Sequence, residues 1–164
     1  MIVLALDQSS KISGYSVFVD GALSHSGTIQ LTEGDLGTRL VQLREEIKNL
    51  ISTFGIEYVI YEDIQLQDVN GSKEVGIKTF KILAEVIGNV EELLTELDIP
   101  HEAVLATVWK SAVNIKGKQR AEQKKNAQAY VKKNYNLDVS EDESDAICIG
   151  TYFCAKNNSY DWTD

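Results

Sequence analysis

The first seven residues, Met1-Ile2-Val3-Leu4-Ala5-Leu6-Asp7, constrain the fold more than any other stretch. Ile2 to Leu6 are apolar without alternation, the pattern of a strand covered on both faces, and such strands lie in sheets with helices on either side. The run stops abruptly at a carboxylate. An ionised Asp at the end of a buried strand is costly unless something positive meets it, and the plainest role for it is to cap the turn that follows.

The rest of the chain repeats the arrangement. After Gln8-Ser9-Ser10 the spacing predicts strands over 14–19 and 23–31, with Asp20-Gly21 as the hairpin turn between them. Leu36, Leu40, Leu43, Ile47, Leu50, Ile51 and Phe54 recur at helical spacing, which predicts an amphipathic helix over 34–54 closed by Gly55. A fourth strand over 57–62 again runs from apolar residues into a carboxylate, Glu62. Asp63 to Ser72 is a polar loop containing Asn70-Gly71. A long helix over 73–97 follows, with Val75, Phe80, Leu83, Ala84, Ile87, Val90, Leu94 and Leu97 on its apolar side and Gly88 available for close packing. Ile99-Pro100 breaks it, and Ala103-Val104-Leu105-Ala106 reads as a short fifth strand. A loop with Gly117 then leads to a helix over 121–134. Strands and helices in this order predict an α/β fold, a mixed five-stranded sheet with helices on both faces.

With 164 residues, 43% of them hydrophobic and only one Pro, a single folded domain is expected rather than a disordered chain. No apolar run approaches the ~20 residues of a membrane span. The short apolar start has no basic residues before it, so no signal peptide is expected. Cys148 and Cys154 lack CxxC spacing and read as reduced, mostly buried thiols of a cytoplasmic protein. His25 and His101 read as ordinary surface or turn residues, and Trp109 as packing for the basic helix. Trp162 lies in a polar tail.

The net charge of −9 argues against a nucleic-acid partner only until its distribution is considered. From Thr107 to Lys133, eight basic residues (Lys110, Lys116, Lys118, Arg120, Lys124, Lys125, Lys132, Lys133) face Glu122 alone, a net of +7. From Asp138 to Asp164, seven acids meet one Lys, a net of −6. An anion-binding face beside a carboxylate cluster fits this contrast; a solvated Lys-rich helix face is the simpler account.

The final helix carries the remaining acids. Ser140-Glu141-Asp142-Glu143 matches a capping box, with Ser140 as the cap and Glu143 at the third helical position. Ala146, Ile149, Gly150, Phe153 and Cys154 form the stripe that faces the core. Extended back by four, the stripe lands on Asp142 and Asp145, with Glu141, Glu143 and Ser144 pointing elsewhere. Acids in a first turn favour a helix N-terminus, which accounts for Glu141 and Glu143 but not for Asp145. If the first and fourth strands are parallel neighbours, Asp7 and Glu62 meet at their C-terminal ends, where ligand sites of α/β sheets form. Four such carboxylates repel strongly in a cleft. They suit Mg²⁺ or Mn²⁺, and a pair of ions about 3.5–4 Å apart would relieve the repulsion and clamp a phosphodiester.

Asp7-Gln8-Ser9-Ser10 with Ser13-Gly14-Tyr15-Ser16, the strand ending in Glu62, and Asp142-x-x-Asp145-Ala146 together resemble the RuvC-type Holliday junction resolvases of the RNase H-like superfamily. The likeness runs to about Lys156, and the order and spacing of the four acids are its specific part. It implies a homodimer that nicks two opposed strands of a four-way DNA junction by two-metal hydrolysis, leaving 5′-phosphate ends. Asp7 would bridge both metals, and Glu62, Asp142 and Asp145 would complete their coordination. Lys110 and Lys124 or Lys125 fall where the family keeps lysines near the scissile phosphate; Lys116, Lys118 and Arg120 would hold the DNA backbone. Asn70 and the helix through Ala84 and Gly88 resemble the family's dimer-forming region.

Two features depart from the family's pattern. Gln65 stands where the family commonly places an aromatic residue that stacks on junction bases, and the chain is unusually acidic, as in compact phage-encoded relatives. The expectation is a protein of the host cytoplasm that works without branch-migration proteins and also accepts forks or flaps. Other readings of the same residues are a different RNase H-like nuclease cutting RNA or RNA–DNA hybrids and a branched-DNA-binding protein with structural acids. A sugar-kinase-like ATPase is a further one, although that fold usually needs two such domains.

Overall fold

The computed structural model describes residues 1–31, 33–65 and 73–158, with the backbone alone described over 73–75. Five strands, β1 (Ile2–Asp7), β2 (Ile12–Val19), β3 (Ala22–Gln30), β4 (Tyr58–Glu62) and β5 (His101–Val104), form one sheet in the order β3-β2-β1-β4-β5. β1 runs antiparallel to β2 and parallel to β4, and β5 adds parallel to β4. The Asp20-Gly21 turn has positive φ at both residues (49° and 83°), as a tight hairpin with right-handed strand twist requires.

Alternation along the central strands sorts the core into two layers. Leu4, Leu6, Val17, Val59 and Tyr61 pack against α1 (Leu36–Phe54) and α2 (Lys73–Glu96). Val3, Ala5, Phe18 and Ile60 pack on the other face against α3 (Ala106–Ala112), α4 (Arg120–Tyr135) and α5 (Glu141–Asn158). The mixed sheet with helices on both faces is therefore as the sequence predicts. α1 is capped by Asp35, whose carboxylate accepts from Thr38 N at 2.8 Å, and ends at Gly55 with φ 64°.

Several expectations need correction. β5 starts two residues earlier than expected, because as an edge strand it has to satisfy the β4 ladder but not a two-sided core. Its polar His101 and Glu102 pair with Val59 and Ile60. His101 is accordingly a partly buried strand residue, while His25 is exposed and stacks on Phe54 with ring centroids 4.6 Å apart. Leu105, read as strand, is instead the first boundary residue of α3, a helix that the sequence pattern did not announce. α2 stops at Glu96, before Ile99-Pro100, with Asp98 in the left-handed region (φ 54°). Ser144 is fully buried rather than turned away from the core. Cys148 is buried and Cys154 partly so, both as free thiols, and burial pushes the Cys148 thiol up to about 12. Most of the 63–72 loop, including Asn70-Gly71, and also Trp162 and the Val75 side chain, lie outside the described residues.

Candidate active site

The cleft is built first from two strand ends. Asp7 has the parity of Val3 and Ala5, and Glu62 that of Ile60, so both project toward the α3–α5 layer. The parallel register Leu6↔Tyr61 places them side by side at the C-terminal edge. Gln8 fixes this edge. Its side-chain amide donates to Glu62 O at 2.5 Å and accepts from Glu62 N at 3.2 Å, continuing the β1–β4 ladder beyond its last backbone pair. Trp109, fully buried on α3, donates its indole N–H to Glu62 Oε2 at 2.9 Å. Neither role was foreseen; a Gln directly after the strand-ending Asp was the one signal in the sequence for the first.

α5 supplies the other half. Ser140 Oγ accepts from Glu143 N at 3.3 Å, as the capping box predicts, but the Glu143 carboxylate turns to β3 and accepts from Ser26 Oγ at 2.7 Å. Ser16 Oγ donates to Ala146 O at 2.7 Å, tying the second turn of the helix to β2. Gly14, which pairs with Asp7 in the sheet, lets the helix N-terminus approach closely: a Cβ there would lie 1.9 Å from Asp142 O. Asp142 is partly buried and Asp145 only 5% exposed. Lys124 of α4 donates to Asp145 Oδ2 at 2.6 Å.

The four carboxylates share one electrostatic environment. Burial, then repulsion from Glu62, Asp145 and Asp142, raises the Asp7 carboxyl well above its ordinary range, against the pull of Lys124. Burial also raises Glu62, opposed by the Trp109 hydrogen bond and reinforced by Asp145, while Lys110 and Lys124 pull it down. Asp145 is raised by burial despite the neighbouring Lys124. Burial works against the Lys124 ammonium, but Asp145, Asp7 and Asp142 outweigh it and hold its proton more tightly than usual. Lys124 thus sits among crowded anions, and Lys110 adds its charge at Glu62 and Asp145. The Trp109 hydrogen bond favours ionised Glu62, so Trp109→Phe is expected to raise the Glu62 carboxyl further, read as an upward shift of its side-chain ¹³C titration in the metal-free protein.

The basic residues divide into two groups. Lys124 and Lys110 line the cleft, Lys110 held at 3.0 Å by Gln123 Oε1 and lying 5.4 Å from the Trp109 ring centroid. Lys116, Lys118, Arg120 and Lys125 are exposed, and none of them forms an ion pair among the described residues. Of the two adjacent lysines, Lys124 is therefore the one in the cleft, and Lys125 faces outward.

No protein-family model matches the sequence, and no curated protein does. Solved structures do match in fold. RuvC of Thermus thermophilus, in a structure with a Holliday junction substrate, superposes with a TM-score of 0.76 at 15% identity, covering 98% of this chain and 96% of that one. The Fowlpox virus resolvase, in complex with Holliday junction DNA, gives 0.61 at 13% identity over 96% and 99% of the two chains. The yeast mitochondrial Holliday junction resolvase gives 0.57 at 17% identity over 96% and 80%. At these identities the likeness establishes the fold, which is the RNase H-like sheet expected from the sequence.

Proposed function

We propose that this chain is a structure-specific endonuclease that resolves four-way DNA junctions by hydrolysing phosphodiesters with divalent cations. The observation that carries the reading is the convergence of Asp7, Glu62, Asp142 and Asp145, from two strand ends and one helix start, on a single cleft bordered by Lys110 and Lys124. The shared fold with junction resolvases supports it.

The donor set fits Mg²⁺ or Mn²⁺ in chemistry: every candidate ligand is a carboxylate, and hard cations prefer oxygen. Among the described residues no three such groups are arranged to hold an ion as they stand. The Lys124–Asp145 ion pair places an ammonium in the cluster as its counter-charge. Asp7, Glu62, Asp142 and Asp145 would hold two cations once Lys124 releases its hydrogen bond. When bound, these ions supply an activated water and neutralise charge building on the phosphate.

The protein's own residues do the rest. Gln8 holds the Glu62 backbone and Trp109 its carboxylate, which limits how far the side chain must reorganise. Lys124, freed from Asp145, and Lys110 place positive charge beside the phosphate in a partly desolvated cleft, where such charge counts most. Lys116, Lys118, Arg120 and Lys125 contact the DNA backbone. Replacing Lys125 with Ala is expected to weaken junction binding evenly across sequences and to reduce the slope of log K against log salt by about 1. Products carry 5′-phosphates, and the paired nick comes from a homodimer, for which exposed Ile77 and Ile82 on α2 offer apolar surface.

The test is nicking of a synthetic junction, a linear duplex and an RNA–DNA hybrid with Mg²⁺, with Mn²⁺ and with neither. Metal-dependent, symmetric, ligatable nicks confined to branched DNA are expected. Equal cutting of plain duplex or hybrid would overturn the reading. Exposed Gln65, with no ring to stack on bases, favours a broader range that includes forks and flaps. Comparable rates on forks and four-way junctions would establish that range, and confinement to four-way junctions would exclude it.

A further inference from the structure

Beside Lys110 lies a pocket of about 450 Å³ whose hydroxyl and amide groups the proposed chemistry does not use. It is lined by Thr107, Lys110, Ser111, Asn114, Ile115 and Lys116, along α3 and the loop after it. Lys110 is the link to the cleft, since its charge acts on both Glu62 and Asp145. Gln123 fixes this link, accepting from Lys110 Nζ at 3.0 Å while donating to Gly117 O at 3.0 Å.

The pocket's size falls in the range of small-molecule sites, roughly 300–1,000 Å³, and excludes a duplex. Its chemistry is mixed in a particular way. Lys110 and Lys116 call for an anion. The hydroxyls of Thr107 and Ser111 and the amide of Asn114 can both donate and accept, and none has a side-chain hydrogen bond among the described residues. Ile115 gives an apolar floor for a flat ring. Asn114 sits in the left-handed region (φ 61°), just beyond the end of α3.

We infer that this pocket receives one unpaired nucleotide of the DNA, next to the phosphate to be cut, with its phosphate on Lys110 and Lys116 and its base edge on Asn114. The inference rests on the junction-nuclease reading and adds how the branch point is held. A nucleotide held on Lys110 lies beside the cleft and so near the branch point where the scissile bond is placed. Drawing it from the stack costs least where pairing is already interrupted, as it is at a crossover. A pocket that must be filled before the phosphate is seated would favour branched over linear DNA without reading sequence.

The test uses the full chain and four-way junctions carrying 2-aminopurine at each position flanking the cut, with Ca²⁺ to keep the complex uncut. Wild type is expected to brighten one of these positions by about twofold or more as the base leaves the stack. Ser111→Trp, which fills the pocket, should return that signal to the level of free junction. Asn114→Gly, which removes the amide but keeps the left-handed backbone, should reduce it with an unchanged melting temperature. A junction with the adjacent bases already mismatched should restore metal-dependent nicking in Asn114→Gly, whereas Ser111→Trp, its pocket closed, should stay slow on both junctions with an unchanged melting temperature. Nicking without brightening in wild type, or equal brightening in Ser111→Trp, would overturn the pocket assignment and leave the nuclease reading intact. Absence of metal-dependent nicking in wild type would overturn both.

Discussion

Asp7→Asn is expected to abolish metal-dependent nicking while leaving junction binding intact, and to make the metal-free protein more stable. The first effect follows because an amide lacks the charge that captures a divalent cation; a loss of about 10³-fold or more is expected. Binding should survive because the proposed backbone contacts come from Lys116, Lys118, Arg120 and Lys125, all of them exposed and none of them a candidate metal ligand. The second effect comes from crowding. Asp7 is partly buried beside Glu62, Asp145 and Asp142, with Lys124 as a nearby counter-charge, and its carboxyl is raised well above the ordinary range. A raised acid binds its proton more tightly in the folded than in the unfolded chain. Stability is therefore greatest at acidic pH and falls as pH climbs from the ordinary carboxylate range through the raised values. Removing one of the repelling charges flattens this fall. At neutral pH the gain is on the order of 1 kcal/mol, or about 2–4 °C in melting temperature for a domain of this size. Melting curves across pH for wild type and variant, without metal, check the sign. A less stable variant would mean that Asp7 does not stand among uncompensated anions.

How far the sequence led toward this site depended on what each element had to bury. β1 and β4 are covered on both faces, so their unbroken apolar runs marked them, and the terminal carboxylates stood out against that background. The capping box located α5 to the residue, and the stripe behind it brought in Asp142 and Asp145. β5 was displaced because an edge strand needs only one ladder and carries little apolar pattern. α3 was missed because seven residues give a helical period too few repeats to register. The choice between Lys124 and Lys125 was in fact legible: counting back from Val131 and Ala127, the buried positions of α4, leads to Lys124 at helical spacing. Ser144 escaped because α5 is buried over consecutive residues from Ser144 to Gly150, sandwiched between the sheet and its neighbouring helices, so a one-sided stripe understated its surroundings. The partners of Gln8 and Trp109 were out of reach for another reason, although the position of Gln8 directly after Asp7 marked the residue itself. The contacts of these two residues to Glu62 span 54 and 47 residues, and no local pattern encodes such pairings.

The same long-range logic predicts that Gly14→Ala disables the proposed nicking activity without touching any carboxylate. Gly14 lies opposite Asp7 in the β1–β2 ladder, under the first turn of α5. An added methyl carbon would fall 1.9 Å from Asp142 O and 2.9 Å from Glu143 N, both backbone atoms that cannot swing aside as a flexible side chain could. Relief requires the sheet or the helix start to move. β2 is held by ladders on both sides, so α5 yields, stretching the Ser16–Ala146 and Ser26–Glu143 hydrogen bonds that pin it. Overpacking of this kind costs about 1–3 kcal/mol, which corresponds to roughly 2–4 °C of melting temperature for each kcal/mol. The effect on rate is larger. Asp142 and Asp145 ride on the displaced turn while Asp7 and Glu62 stay with the sheet, and a misplacement of about 1 Å lowers rate by ~10²-fold. Gly37→Ala is the control, because a methyl there meets only Asp35 Oδ1 at an ordinary 3.6 Å. It should nick at the wild-type rate and gain a little stability, since Ala suits a helix better than Gly. Nicking rates, melting curves and amide exchange over residues 142–146 together separate the outcomes. Gly14→Ala should show faster exchange in that turn than wild type, whereas wild-type nicking and unchanged exchange would mean that the helix start is not seated on the strand at this point.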